Sequence, residues 1–314
     1  MDQTLKHISV LRDECIEALS VRPDGIYIDA TLGGAGHASC IAERLETGRL
    51  IGIDRDDYAL MRASLRLSPY SDRVTLIHSD FRELKSCLAQ TGEDGADGIL
   101  FDLGCSSFQL DDPERGFSYM HDAPLDMRMD RDRAYSAYDL VNNTAAEDLV
   151  HILFDYGEER YARRIVDAIV RRREEAPIRT TGELSGIISD AMPAAAKREK
   201  QHPAKRTFQA IRIAVNDELA SIEQALTAAI DVLHPNGKLA VISFHSLEDR
   251  IAKHVMEEAA RGCICPPEFP VCVCGRKPRV ELCPKKPILP TPEECENNPR
   301  ARSAKLRVCR KLEG

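Results

Sequence analysis

The chain has 314 residues, 43% of them hydrophobic, enough to bury one large core or two modest ones. A formal net charge of −8 excludes a uniformly basic nucleic-acid coat, so any contact with RNA or DNA has to come from local patches. The polar start Met1-Asp-Gln-Thr-Leu-Lys-His7 is no signal peptide, no apolar run reaches membrane-spanning length, and eleven cysteines without export signals suit a reducing cytoplasm with free or metal-bound thiols.

The first strand is expected at Ile26-Tyr-Ile28, followed by Asp29-Ala-Thr-Leu-Gly-Gly-Ala-Gly-His37 and a helix over 37–45. Glycines 33, 34 and 36 are expected to take positive φ and to let a ligand approach the main chain. Such a turn at a strand's carboxyl end is where open α/β sheets bind nucleotide-like ligands, with an ordinary tight turn as the alternative. A second strand, Arg49–Asp54, ends in an acid placed to hold both hydroxyls of an adenosine ribose, or else to cap the next helix. The dinucleotide fingerprint wants a third glycine where this chain has Ser39. Asp29 would repel a pyrophosphate but attract an ammonium or sulfonium. S-adenosylmethionine carries both cations and no phosphate, so it is favoured over NAD.

Further strands are expected at Val74–Asp80 and Gly98–Gly104, with helices between them, the rhythm of a parallel sheet. From about Pro113 to Arg206 no convincing strand appears. Thr144-Ala-Ala-Glu147 and Thr180-Thr-Gly-Glu183 fit reciprocal capping boxes there. Phe208, Ile211, Val215, Leu219, Ile222, Leu226, Ile230 and Leu233 then form one apolar stripe on a long helix. His234-Pro-Asn-Gly237 ends that helix, Lys238–Phe244 is a buried strand, and Ser246 caps the next helix. A last strand, Ala304–Arg310, is expected antiparallel at the sheet edge. The fold class is α/β: a Rossmann-like class I methyltransferase core, mostly parallel with an antiparallel edge strand and an inserted all-helical domain. The core comprises 1–112 and 207–314, with a Cys-rich loop at 263–283; the insertion, 113–206, is expected to recognise substrate.

Several motifs carry a resemblance. They are Asp-Ala-Thr-Leu-Gly-Gly-Ala-Gly-His (29–37), Gly-Ile-Asp-Arg-Asp (52–56), Asp-Leu-Gly-Cys-Ser-Ser (102–107), Gln-Leu-Asp (109–111) and Arg-Gly-Phe-Ser (115–118). Pro-Leu-Asp-Met-Arg-Met-Asp (124–130), His-Pro-Ala-Lys-Arg-Thr-Phe-Gln-Ala (202–210), Ser-Phe-His-Ser-Leu-Glu-Asp-Arg (243–250) and Asn-Pro-Arg-Ala-Arg-Ser-Ala-Lys-Leu-Arg (298–307) complete the set. Across nearly its whole length the chain resembles the bacterial 16S ribosomal RNA cytosine-N4 methyltransferases. That resemblance implies S-adenosylmethionine as cofactor, and 16S rRNA or the small ribosomal subunit as partner, in the cytoplasm and away from membranes. The sequence leaves open whether the chain forms a homodimer.

The family's cofactor residues fall on Ala35, Gly36, His37, Asp54, Phe81, Asp102 and Gln109. Phe81 would flank the adenine or simply sit in the core, and Asp80 is a second candidate for the adenine amino group. Amino methyltransferases usually follow the fourth strand with Asp/Asn/Ser-Pro-Pro-Tyr/Phe. Asp102-Leu-Gly-Cys keeps the acid alone, which makes Asp102 the candidate catalytic residue for polarising N4, a role shared with a cofactor contact. A strand-end carboxylate bonded to nearby amides is the alternative. Cys105 invites a thiolate attack on pyrimidine C6 but reads better as a small buried hydrophobe. His245 either covers the target base or caps a helix.

Phosphate contacts are expected from Arg160, Arg163, Arg164 and Arg171–Arg173, from Lys197, Arg198, Lys200, Lys205 and Arg206, and from Arg300, Arg302, Lys305 and Arg307. Lys205 and Arg206, beside His202-Pro203, are the favoured pair. Cys263-Ile-Cys265 and Cys272-Val-Cys274 could hold a structural zinc or remain free thiols, with Cys283 and Cys295 as further candidates; no catalytic metal is implied.

Overall fold

A computed structural model describes residues 9–194, 196, 201–266, 269 and 271–313. The described chain up to Gly104 and from Leu219 onward forms one unit, and Cys105–Glu218 forms a second. The first unit opens with α1 (Arg12–Leu19) and then alternates β1 (Ile26–Asp29), α2 (Gly36–Ala42), β2 (Arg49–Asp54), α3 (Asp57–Leu67), β3 (Val74–His78), α4 (Leu84–Thr91) and β4 (Ala96–Asp102). The second unit carries α5 (Ser107–Asp111), α6 (Ala137–Asn143), α7 (Ala146–Gly157), α8 (Ala162–Glu175), α9 (Thr181–Ala191) and α10 (Lys205–Asn216). The chain returns through α11 (Glu218–Val232), β5 (Leu233–Ser243), α12 (Ser246–Ala260), β6 (Val280–Leu282), α13 (Pro292–Asn297) and β7 (Lys305–Lys311).

The strands form one sheet in the order β3-β2-β1-β4-β5-β7-β6. Neighbours from β3 to β5 pair in parallel, and β7 runs antiparallel to both β5 and β6. Both faces are covered, which is why β2 and β4 read as apolar runs rather than alternating patterns. One face packs Ile28, Ile51, Phe101 and Val241 against Leu226, Ile230 and Met256 of α11 and α12. The other packs Tyr27, Leu50, Leu100 and Ile242 against α1, α2 and α3 through Leu19, Ile41 and Ala63. The order of strands along the chain reverses between β1 and β4. Connections leaving their carboxyl ends therefore diverge and open a crevice there.

The second unit has its own core, with Leu149, Leu153, Ile165, Ile169, Leu184, Ile188, Phe208 and Ile211 at its centre. Among its described residues the only β pairing is a single bridge between Pro124 and Thr180.

Local chemistry departs from the sequence reading at several points. Thr180 caps α9, accepting from Glu183 N at 3.2 Å, but Thr144 instead ends α6, and α7 starts from Ala145 with no side-chain cap. The stripe expected on one helix is split between α10 and α11 by Asp217, whose φ of 50° breaks the helical path while keeping the apolar period on either side. The antiparallel β7 is present, with the three-residue β6 beyond it at the border of the sheet.

Candidate cofactor and catalytic site

The crevice is built from the loop after β1. Its left-handed residues are Gly33 (φ 50°) and Ala35 (φ 57°), not Gly34 or Gly36. Gly36 lacks a side chain for a different reason: a Cβ there would lie 1.8 Å from Ser9 Oγ, so the segment before α1 sits directly on the loop. Gly33 N donates to Asp54 Oδ2 at 2.7 Å, and Asp56 N to Asp54 Oδ1 at 2.9 Å. The end of β2 is thereby fastened to the loop after β1, while each carboxylate oxygen keeps a further lone pair for a hydroxyl donor. The helix-capping alternative for Asp54 falls to Asp56, which accepts from Tyr58 N at 3.1 Å and caps α3.

Phe81 meets Phe101 edge-on at 5.9 Å, and the Arg55 guanidinium lies over its ring at 5.8 Å. Asp80 is committed elsewhere: it accepts from Arg82 N at 3.0 Å and faces Arg55 Nη1 at 3.3 Å. That leaves it less suited than Phe81 to an adenine contact.

Four acids meet at these strand ends. Asp29, at the end of β1, is buried and accepts from Thr31 N at 3.2 Å. Burial, with Asp54 adding repulsion, pushes it up to about 7. Burial also raises Asp54, against the opposing pull of the Asp56 and Gly33 amides. Glu248, in the first turn of α12, is fully buried and accepts from Phe244 N at 2.8 Å and His245 N at 3.2 Å.

Asp102, at the end of β4, is the most perturbed. Its main-chain N–H donates to Thr31 Oγ1 at 2.5 Å. Its side chain keeps 26% of its surface exposed, yet Oδ1 is sealed from solvent and has no hydrogen-bond partner. The alternative of a strand-end carboxylate satisfied by nearby amides is thus not what the structure holds. Burial first, then the charges of Asp29 and Glu248, push Asp102 up to about 8. His37 stands beside it. Its Nε2 lies 3.0 Å from the Val10 carbonyl, which can only accept, so the proton belongs on Nε2. Nδ1 is 3.7 Å from Asp102 Oδ2.

Carboxylates crowded in this way are short of positive charge, and they select against a phosphate. An incoming ammonium or sulfonium would relieve both the burial cost and the mutual repulsion. The orphaned Oδ1 of Asp102 and the bare approach over Gly36 fit S-adenosylmethionine on the structure's own terms.

Other expected residues divide. Gln109, in the second unit, is buried and its Oε1 accepts from Ser106 N at 3.0 Å, completing the box that caps α5. Cys105 is half-buried, and its sulfur accepts from Arg212 Nη1 at 3.3 Å rather than sitting as a plain hydrophobe. Arg212 also holds Glu218 through two contacts of 2.9 Å. His245 takes the capping role, its Nδ1 accepting from Glu248 N at 3.4 Å; Ser246, expected as the cap, is already the first helical residue. Glu248, Thr31 and Ser9 were not foreseen. The available signals were the places of Glu248 in the 243–250 motif and of Thr31 in the 29–37 motif.

Lys305 and Arg307 are spent on Asp249, at 2.9 and 2.6 Å, and are withdrawn from the phosphate candidates. Arg172 and Arg173 likewise donate to main-chain oxygens of Ala176 and Val141. Arg160 and Arg206 line a cleft of about 250 Å³ in the second unit with Tyr161 and His202, although Arg206 Nη1 also donates to the Glu158 carbonyl at 3.4 Å. Lys197, Arg198 and Lys200 lie outside the described residues.

The model of the MraW methylase family matches residues 4–312. The chain belongs to the MraW methylase family. It is 57% identical over 307 residues to a protein of Brevibacillus brevis, and 54% identical over 308 residues to one of Heliobacterium modesticaldum. Each alignment covers 98% of this chain and 98% of the relative, and both relatives are named ribosomal RNA small subunit methyltransferase H. As a MraW methylase the protein is an S-adenosylmethionine-dependent methyltransferase. Ala35, Gly36, His37, Asp54, Phe81 and Asp102 all lie at the carboxyl ends of β1 to β4, in the unit that holds the crevice. Among the described residues no helix is long and apolar enough to cross a membrane.

Proposed function

We propose that this MraW methylase transfers a methyl group to the exocyclic N4 of a cytidine in the 16S rRNA of the small ribosomal subunit, in the cytoplasm. The observation that carries the reading is the sealed, unpartnered Oδ1 of Asp102 among Asp29, Asp54 and Glu248. Asp54 would hold the ribose hydroxyls and Phe81 the adenine, while Ala35, Gly36 and His37 shape the loop beneath. Gln109 is carried over from the family as a further cofactor contact. When bound, S-adenosylmethionine supplies a methyl group made electrophilic by its sulfonium.

The lone pair of N4 is delocalised into the cytosine ring, so the amine needs an acceptor on its N–H and a fixed orientation. The Asp102 carboxylate, on a side chain that keeps 26% of its surface exposed and with Oδ1 unpartnered, would accept that N–H. Ionised once the cationic donor is bound, the carboxylate would take the N4 proton as the new N–C bond forms. His37, with Nε2 3.0 Å from the Val10 carbonyl and Nδ1 3.7 Å from Asp102 Oδ2, would help to orient that carboxylate.

The second unit would recognise RNA through the cleft of Arg160, Tyr161, His202 and Arg206. His202 there is already stacked on Tyr119, 4.5 Å between ring centres and 15° between planes. A flipped or unpaired cytidine is required, because N4 is inaccessible inside a helix.

The test is methyl transfer to small subunits from cells lacking the enzyme, with the product nucleoside identified by mass spectrometry. N4-methylcytidine is expected. At saturating donor, Asp102→Asn should lower the rate by about 10²–10⁴. A 5-methylcytidine product, or an Asn variant of unchanged rate, would overturn the assignment.

A further inference from the structure

The loop from Arg261 to Arg279, between α12 and β6, has no core. None of its described residues is buried. Its large apolar side chains point outward instead: Ile264, Phe269, Val271 and Val273 are 53%, 52%, 70% and 74% exposed. Residues near its carboxyl end fasten it to α12. Arg276 Nη2 donates to the Glu258 carbonyl at 2.5 Å, and Arg279 N to the Ala259 carbonyl at 2.7 Å. What converges inside the loop is sulfur. The Sγ atoms of Cys263, Cys265, Cys272 and Cys274 all lie within 4.8 Å of one another, although up to eleven residues separate them in the chain.

We propose that these four cysteines hold one structural zinc ion. A tetrahedron with Zn–S bonds of about 2.3 Å spaces its sulfurs about 3.8 Å apart. Cys272 and Cys274 stand 3.6 Å apart, and Cys274 and Cys263 3.8 Å. Disulfide bonding would need a separation of about 2.0 Å. Cys283, whose N–H pairs with the Val308 carbonyl in the sheet, stays outside the group, as does Cys295.

Two amides aim at the sulfurs: Cys265 N donates to Cys263 Sγ, and Val273 N to Cys265 Sγ, both at 3.4 Å. Donors of this kind orient thiolate ligands and spread their charge. With four protein ligands the site is closed, leaving no position for water or substrate. Its role is to order a loop that has nothing apolar to fold around.

The test uses the full chain, reduced and handled without oxygen, with Zn²⁺ or Co²⁺ as the probe. One zinc per chain is expected, released as a mercurial titrates four thiols. The Co²⁺ form should show the visible absorption of a tetrahedral sulfur site. Cys263→Ser and Cys272→Ser should each weaken Zn²⁺ binding by on the order of 100-fold or more, while Cys283→Ser and Cys295→Ser leave it unchanged. The quadruple serine variant should keep its helical circular dichroism and its affinity for S-adenosylmethionine, which separates loss of the metal from loss of the fold. A chain that stays metal-free in excess Zn²⁺, iron in place of zinc, a cobalt spectrum without sulfur character, or metal retained after both Cys263→Ser and Cys272→Ser would overturn the proposal. Metal content is read without catalysis, so failure of the methyl-transfer reading leaves this result standing.

Discussion

Raised carboxylates in the crevice make donor binding a proton-linked event. In the donor-free protein Asp102 sits at about 8, so at pH 5.5 it is almost entirely neutral. A cation bound only by its ionised form must displace that proton. Between pH 5.5 and 7.0 the ionised fraction rises about 30-fold, and affinity for S-adenosylmethionine should rise with it. The window stays below the range in which the donor's own ammonium titrates. Asp29, at about 7, adds a second part to the slope, coupled to the first because its charge is one of the causes that raise Asp102.

Calorimetry in two buffers of different ionisation heat measures the protons directly. The wild-type protein should release more than the Asp102→Asn variant, whose remaining slope belongs to Asp29. The sign for stability follows from the same shift. The folded donor-free chain holds a proton that the unfolded chain has already lost, so its stability falls as pH rises from about 4 to about 8, and bound donor cancels that fall. Identical pH profiles and proton counts for wild type and Asp102→Asn would refute the reasoning.

Gly36→Ala should weaken donor binding at least tenfold by calorimetry with the fold intact, because its Cβ would strike Ser9 Oγ; adding Ser9→Ala should recover part of the loss. Cys105→Ala should keep methyl transfer to ribosomal subunits within a few-fold, since the sulfur accepts from Arg212 and takes no part in the chemistry; loss of all activity would revive a covalent thiolate route. Asp249→Ala leaves the largely buried Arg307 without its partner and should cost about 2–4 kcal/mol in urea unfolding. Asp249 itself is held below the ordinary carboxylate range by Arg307 and Lys305, against the opposing effect of burial. Its contribution is therefore present at neutral pH and fades as pH falls through that depressed value. Arg160→Ala with Arg206→Ala should weaken RNA binding and flatten its salt dependence by about one to two units of slope, measured by filter binding at several ionic strengths.

The parallel half of the sheet was readable chiefly from β1, β2 and β4, largely apolar runs that each end in an aspartate. Asp54 and Asp102 stand at two of those ends. Features set by three-dimensional neighbours were not readable. Nothing local in the sequence tells that Gly36 makes way for Ser9, or that Lys305 and Arg307 both pair with Asp249, more than fifty residues away. The break at Asp217 was hidden because the apolar period runs through it, and a single left-handed residue leaves no mark on that period. Thr144 had the right residue type and spacing for a cap but was already in use at the end of α6. Glu248 was concealed in another way. A glutamate in a helix's first turn is an ordinary sight, and only the fold sends this one inward, toward Asp102.

The position of β7 has a consequence for how the molecule is made. It lies between β5 and β6, both of which are synthesised before it, and among the described residues β6 pairs with no other strand. A nascent chain that has not yet delivered Lys305–Lys311 therefore carries an eleven-residue β5 with one flank bare, a template for joining a second nascent chain. Copies stalled or cut short before this strand should accordingly aggregate instead of persisting as partly active enzyme.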